Sequence, residues 1–179
     1  MSSELVVLKL GGSVITDKDS PETVDDDALD GVLDAVAAAV DTEVGRLVVV
    51  HGGGSFGHVH AADHGVSTTD GSRDAAAVAA IHGAMKRLNE VVVDRLQARE
   101  VAAVPVHPLS TAARDEEGAL ALPPTATAGL LDEGFVPVLH GDVIAHAGEG
   151  VTVLSGDEIV TSLADSLGAD RVGLCSTVP

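Results

Sequence analysis

Three apolar runs in this sequence lead straight into glycine. LVVLKL (5–10) meets Gly11-Gly12, RLVVV (46–50) meets His51 and then Gly52-Gly53-Gly54, and VPVLH (136–140) meets Gly141-Asp142. Short continuous apolar runs bounded by turn residues read as strands buried on both faces. Such strands belong to parallel sheets covered by helices. The segments between them carry apolar residues at helical spacing. Leu29, Val32, Leu33, Val36 and Val40 follow an acidic start at Asp25-Asp26-Asp27. Val78, Ile81, Met85, Leu88 and Val92 mark a long helix from about residue 74 to 99.

The remaining chain continues the alternation. VAAVPVH (101–107) reads as a strand, EEGAL as a turn, and 127–133 as a short helix stopped by Gly134. VIAHAGEGVTVL reads as a hairpin turning at 148–150, and SGDEIVTSLADSLGA as a helix capped by Ser155 or Asp157. RVGLCSTV is a last strand. The predicted architecture is α/β: one domain over 1–179 with an open, mostly parallel sheet and helices on both faces.

Composition removes several classes. No apolar run reaches the ~20 residues of a membrane span, and the first residues lack the basic region and long apolar stretch of a secretory signal. The single cysteine, Cys175, excludes an internal disulfide and fits a reducing cytoplasm. Acidic residues number 28 against 10 basic, a formal net charge of -18, which repels nucleic acid and anionic lipid. Carboxylates over an Ala/Val-rich interior match haloadaptation, where concentrated salt screens their repulsion. Lysine occurs only at Lys9, Lys18 and Lys86, and two of the three share one N-terminal segment.

Ligands of open α/β sheets bind beyond the carboxyl ends of the strands. KLGGS, HGGGSFGH and HGDV all stand there, with SGDE opening a helix nearby. Singly, each has a plain reading as a turn or a cap. Together they fit backbone cradles for anions. Neither G-x-x-x-x-G-K-[ST] nor a dinucleotide G-x-G-x-x-G after the first strand is present. Lys9 lies inside an apolar strand, where a lysine is costly to bury unless it meets an anion. Among the histidines, His51 is expected to bond backbone. His60 and His64 read as a solvated face, since they lack the glutamate of a zinc-type H-E-x-x-H. His82, His107, His140 and His146 are expected to be structural.

LKLGGSVITDK, VVVHGGGSFGH, AMKRLN, VPVLHGDV and VLSGDEIV, in this order, resemble the amino acid kinase superfamily and, within it, the archaeal isopentenyl phosphate kinases. Fosfomycin-resistance kinases are similar and share the histidine at the place of His58. The resemblance implies a three-layer fold and transfer of a phosphoryl group from ATP, with Mg²⁺ held mainly by the ATP phosphates, to isopentenyl phosphate. That reaction serves isoprenoid synthesis in a mevalonate-pathway variant. It implies catalytic roles for Lys9, Lys18 and His58. Lys9, Gly11, Gly12, Ser13, Gly54 and Ser176 would bind ATP. Gly52, Gly53, His58 and Gly156 would bind the acceptor phosphate, and Asp157 would orient lysine or line the acceptor side. Ile81 and Met85 would form one wall for the prenyl tail, Val143 and Val153 the other, although helical spacing equally fits Ile81 and Met85 to the core. No dedicated protein cage for the metal is expected. A homodimer is expected, with no nucleic-acid or membrane partner. Family members run well past residue 179, so the expected content is the acceptor-binding portion and the phosphate loops, with the nucleotide-binding C-terminal portion largely absent. The family's TDVDG is matched here by STVP, so no adenine site is assigned. The alternatives are a kinase for another phosphate or phosphonate such as fosfomycin, or a catalytically incomplete phosphometabolite-binding domain.

Overall fold

The computed structural model describes residues 4–42 and 45–177, so Pro179 of the STVP segment lies outside the described residues. The elements, in chain order, are β1 (Leu5–Leu10), a one-turn helix α1 (Gly12–Ile15), α2 (Asp26–Thr42), β2 (Arg46–His51), α3 (Gly54–Asp63) and α4 (Ala75–Gln97). Then come β3 (Ala103–Pro105), a 3₁₀ turn (Pro108–Ser110), β4 (Ala113–Arg114), β5 (Leu120–Ala121), α5 (Thr125–Asp132) and β6 (Val136–His140). The chain closes with β7 (Asp142–His146), β8 (Gly150–Leu154), α6 (Gly156–Leu167) and β9 (Arg171–Cys175).

The main sheet has strand order β3-β6-β2-β1-β9, with every pairing parallel. Period-two alternation sends the side chains of each central strand to opposite faces. Leu47 and Val49 of β2 join Leu29, Leu33, Leu88 and Val92 of α2 and α4 in one core. Val48 and Val50 join Leu5, Val7, Ile159 and Leu163 in a second core under α6. Truncating a fully buried leucine such as Leu88 would cost about 2–5 kcal/mol.

Between α2 and α4 runs a seam of ion pairs. Arg95 meets Asp26 and Asp30, and Arg99 meets Asp30 at 3.0 Å and Asp34 at 2.6 Å. These aspartates sit four residues apart, one per helical turn, so two arginines serve three carboxylates on one face.

The sequence reading needs three corrections here. The KLGGS turn continues into helix α1, because Val14 N–H and Thr16 N–H bond back to Gly11 and Gly12 carbonyls. The strand expected over 101–107 contracts to three residues on the sheet edge, where Pro105 turns its N–H-less nitrogen away from β6 and Val106 N–H makes a last bond to Val138 carbonyl at 3.0 Å. The hairpin lies outside the main sheet: β7 and β8 form a separate mixed sheet of order β5-β4-β7-β8. The break falls at Gly141, between β6 and β7.

Candidate active site

Strand register assembles the site. Leu10 stands beside His51 and Cys175, and His51 beside His140. The four residues that follow, Gly11, Gly52, Ser176 and Gly141, therefore leave the sheet at one level. A cleft of about 1050 Å³ opens there. Its lining includes Lys9, Gly11, Gly12, Ser13 and Lys18 from the first strand end, and Gly52, Gly53, Gly54 and His58 from the second. Gly156, Asp157 and Ser176 complete the polar wall, and Ile81, Met85 and Val153 line the cleft as well. Val143 does not: it is fully buried in a small core with Val66 and Ile81, behind the cleft surface. Val153 stands directly across from Val143 and shares its face, but β7 is the strand of the pair that packs against α4, so Val143 is the one covered. Thr16, Ser55 and Val66 also line the cleft, although the sequence reading gave them no part.

Lys9 leaves β1 on the α6 side of the sheet, as its alternation with Leu5 and Val7 requires. Its Nζ donates to Asp157 Oδ1 at 2.6 Å, and its side chain is only 20% exposed. Asp157 is presented by α6, whose first turn is closed by a reciprocal capping box between Ser155 and Glu158. Ser155 is thus the cap. Glu158 also accepts from the buried Arg114 guanidinium at 2.7 Å. Burial would raise the Glu158 carboxyl, but bonds from Ser155 and Arg114 overcome it and hold the group below its usual range.

α3 begins inside the glycine run, with Gly54 at φ +47. The first N–H groups of a helix have no partner within it. That of Ser55 is taken by Thr16 Oγ1, while Gly53 and Gly54 line the cleft. Met85 is 2% exposed, and a side-chain carbon on Gly57 would stand 2.8 Å from its sulfur. The thioether therefore underlies the glycine run. His58, four residues into α3, is exposed at the cleft wall.

The Lys18 loop is sewn to α3. Glu22 N–H donates to Ser55 carbonyl at 3.1 Å, and Ser55 Oγ donates to Thr23 carbonyl at 3.2 Å. The Glu22 carboxylate meets His60 at 2.5 Å and Arg87 at 2.9 Å, and these two partners lower its pKa. His60 is therefore a latch for this loop and not part of a solvated face. The signal for it is a contact 38 residues apart, which no local spacing reveals. His64 is exposed, as expected.

Behind the loops lies a polar interior. His51 Nδ1–H donates to Gly52 carbonyl, and His51 Nε2 accepts from Asn89 Nδ2 at 3.1 Å. His140 repeats the device with Gly141 carbonyl at 2.7 Å, and its Nε2 faces His107 Nδ1 at 2.9 Å. His82 Nδ1–H donates to the buried Asp142, which also receives Leu109 N–H. Burial pushes His51 down to about 3, with His140 adding to the shift, and pushes His140 down to about 4 against the opposing pull of Asp142 and the Gly141 carbonyl. Burial, with His82 next, also lowers His107. His146 bonds Thr152 at 3.0 Å. These histidines thus serve structure, and two of them orient glycine carbonyls at strand ends.

A parallel sheet with glycine cradles at its carboxyl edge, a lysine between them and a histidine on the facing helix defines a phosphoryl-transfer fold. The chain belongs to the amino acid kinase family, whose profile matches residues 4–179. Within that family it stands with the isopentenyl phosphate kinases. It is 67% identical over 175 residues to the isopentenyl phosphate kinase of Haloferax volcanii, covering 98% of this chain and 70% of that relative. It is 33% identical to the isopentenyl phosphate kinase of Methanocaldococcus jannaschii, covering 94% and 67%. A crystal structure of isopentenyl phosphate kinase superposes with a TM-score of 0.89 at 31% identity, over 98% of this chain and 72% of that one.

Proposed function

We infer that this protein transfers the γ-phosphoryl group of ATP to the phosphate of isopentenyl phosphate, giving isopentenyl diphosphate and ADP. The observation that carries this reading is one cleft holding both kinds of surface. Glycine cradles with Lys9 and His58 suit two phosphates, and Val66, Ile81, Met85 and Val153 suit a short branched hydrocarbon. The similarity to isopentenyl phosphate kinases supports it.

Phosphoryl transfer asks the protein to position reactants and neutralise charge. Lys9, Gly11, Gly12 and Ser13 hold the ATP phosphates on this reading, with Gly54 between the reactants, Lys18 reaching in from its loop and Ser176 at the nucleotide edge. Gly52, Gly53, Gly156 and His58 hold the acceptor phosphate. Asp157 keeps Lys9 extended toward the loops. The acceptor is already anionic near neutral pH, so His58 acts as a binder and charge stabiliser and not as a strong base. Mg²⁺ favours oxygen ligands, which phosphates and water supply; when bound it neutralises phosphate charge. Ile81, Met85 and Val153 contact the prenyl tail. Residues 1–179 act as one domain in the cytoplasm, as a homodimer, and the acidic surface suits concentrated salt. The product would feed isoprenoid synthesis.

The test is a coupled ADP-release assay in high potassium chloride with isopentenyl phosphate and, separately, fosfomycin. Turnover with the first and not the second is expected. The reverse preference, or silence with both, would reject this reading.

A further inference from the structure

Thr16 ends the one-turn helix α1 and is 2% exposed. Its hydroxyl makes two hydrogen bonds. Oγ1 donates to Gly12 carbonyl at 2.7 Å and accepts from Ser55 N–H at 3.0 Å. Gly12 belongs to the first glycine loop, and Ser55 follows the second. One oxygen atom therefore joins a carbonyl of one loop to an amide of the other.

The space around this oxygen is closed. A side-chain carbon on Gly12 would lie 2.1 Å from Gly54 N, and one on Gly54 would lie 2.0 Å from Thr16 Oγ1. A carbon on Gly52 would lie 2.7 Å from Gly12 N. The two loops thus touch backbone to backbone, and the threonine hydroxyl supplies a directional bond across the contact. Sliding one loop against the other breaks a buried hydrogen bond at Thr16, which leaves a buried polar group unpaired.

We propose that Thr16 is a positioning residue for phosphoryl transfer, its hydroxyl fixing the separation between the loop that holds the donor and the loop that holds the acceptor. The proposal rests on the kinase reading above. In-line transfer depends steeply on the approach of the two reactants, and a displacement of ~1 Å is enough to cost about a hundredfold in rate. Each substrate, however, binds mainly through its own loop. Loosening the contact therefore acts on kcat more than on either KM.

Thr16→Val keeps the shape and removes the hydroxyl. The expected result is a kcat lowered about tenfold to a hundredfold, with the KM for ATP and for isopentenyl phosphate each within about threefold of the parent. Thr16→Ser restores kcat to within about threefold, and amide exchange at Ser55 speeds in Thr16→Val alone. If Thr16→Val does not fold, Thr16→Cys carries the same expectation, since a thiol bonds weakly. A Thr16→Val enzyme with parental kcat overturns the proposal. So does a parallel rise of both KM values with a falling melting temperature that Thr16→Ser fails to correct. Silence of the unsubstituted protein toward both acceptors rejects the kinase reading first, and the role in transfer falls with it.

Discussion

His51 and His58 stand seven residues apart in one stretch, HGGGSFGH, and the fold gives them opposite surroundings. His51 ends a central strand, is wholly buried, and has both ring nitrogens engaged by Gly52 and Asn89. His58 lies on the outer side of the next helix, at the cleft. The strand hides the first and the helix displays the second. The polar interior behind the glycine loops and the cleft in front of them are thus built from the same residue types, divided by a single layer of backbone. Interior groups fix where carbonyls point, and cleft groups remain available to a ligand.

The largest test of this division is His58→Ala. Loss of a charge-stabilising donor typically costs 10²–10³ in kcat, and the exposed position predicts a melting temperature within about 2 °C of the parent. A large loss of stability would place His58 with the interior group instead. Next in size, His51→Leu leaves Asn89 Nδ2 with only its bond to Val138 carbonyl and frees Gly52 carbonyl. Guanidinium unfolding should show a loss of about 1–3 kcal/mol, with the remaining folded protein still binding ATP. A fully stable, inactive His51→Leu protein would break the comparison from the other side.

Acid should expose the interior histidines as well. Both folded values, about 3 for His51 and about 4 for His140, lie below the ordinary imidazole value of 6.5. The unfolded chain therefore binds more protons than the folded one between these limits. Their stabilising contribution is complete above pH 6.5 and is lost as pH falls toward 4. Each imidazole adds a slope of about 1.4 kcal/mol per pH unit in that window. Unfolding curves at pH 6, 5 and 4 should show it, and His51→Gln should lower the slope by one such step. The smallest expected effect is Glu22→Gln, which weakens the latch to His60 and Arg87 at a half-exposed site. A change under about 1 kcal/mol in stability, with a KM for ATP raised a few-fold through the Lys18 loop, would fit. An unchanged KM would detach that loop from the site.

Much of this layout was legible in the chain. Buried runs ending in glycine marked the three central strands of the main sheet, β6, β2 and β1, and the edge where the cleft opens. Alternation along β1 set Lys9 on one face with Val7, and the fold lays α6 and Asp157 over that face. What escaped were contacts between distant segments. Val143 reads as an equal of Val153, and the two do share a face of the hairpin, but only the fold shows that α4 packs on the strand of Val143 and buries it. His60 reads as solvated until Glu22 folds back from 38 residues away. Thr16 has no local signature, because its two partners matter only once the loops are side by side. The cap of α6 was narrowed to Ser155 or Asp157 by sequence, and the return bond from Glu158 settles it as Ser155.

The contact between the glycine loops also bears on how this sequence is able to change over generations. Gly12, Gly52 and Gly54 are kept bare by one another and not solely by a ligand. A protein that lost its substrate altogether would still reject a side chain at any one of them, unless the opposite loop moved in the same step. Glycine at these places is therefore a poor witness to retained activity in a descendant. His58 and Lys18, which no neighbour obliges to stay, are the better ones.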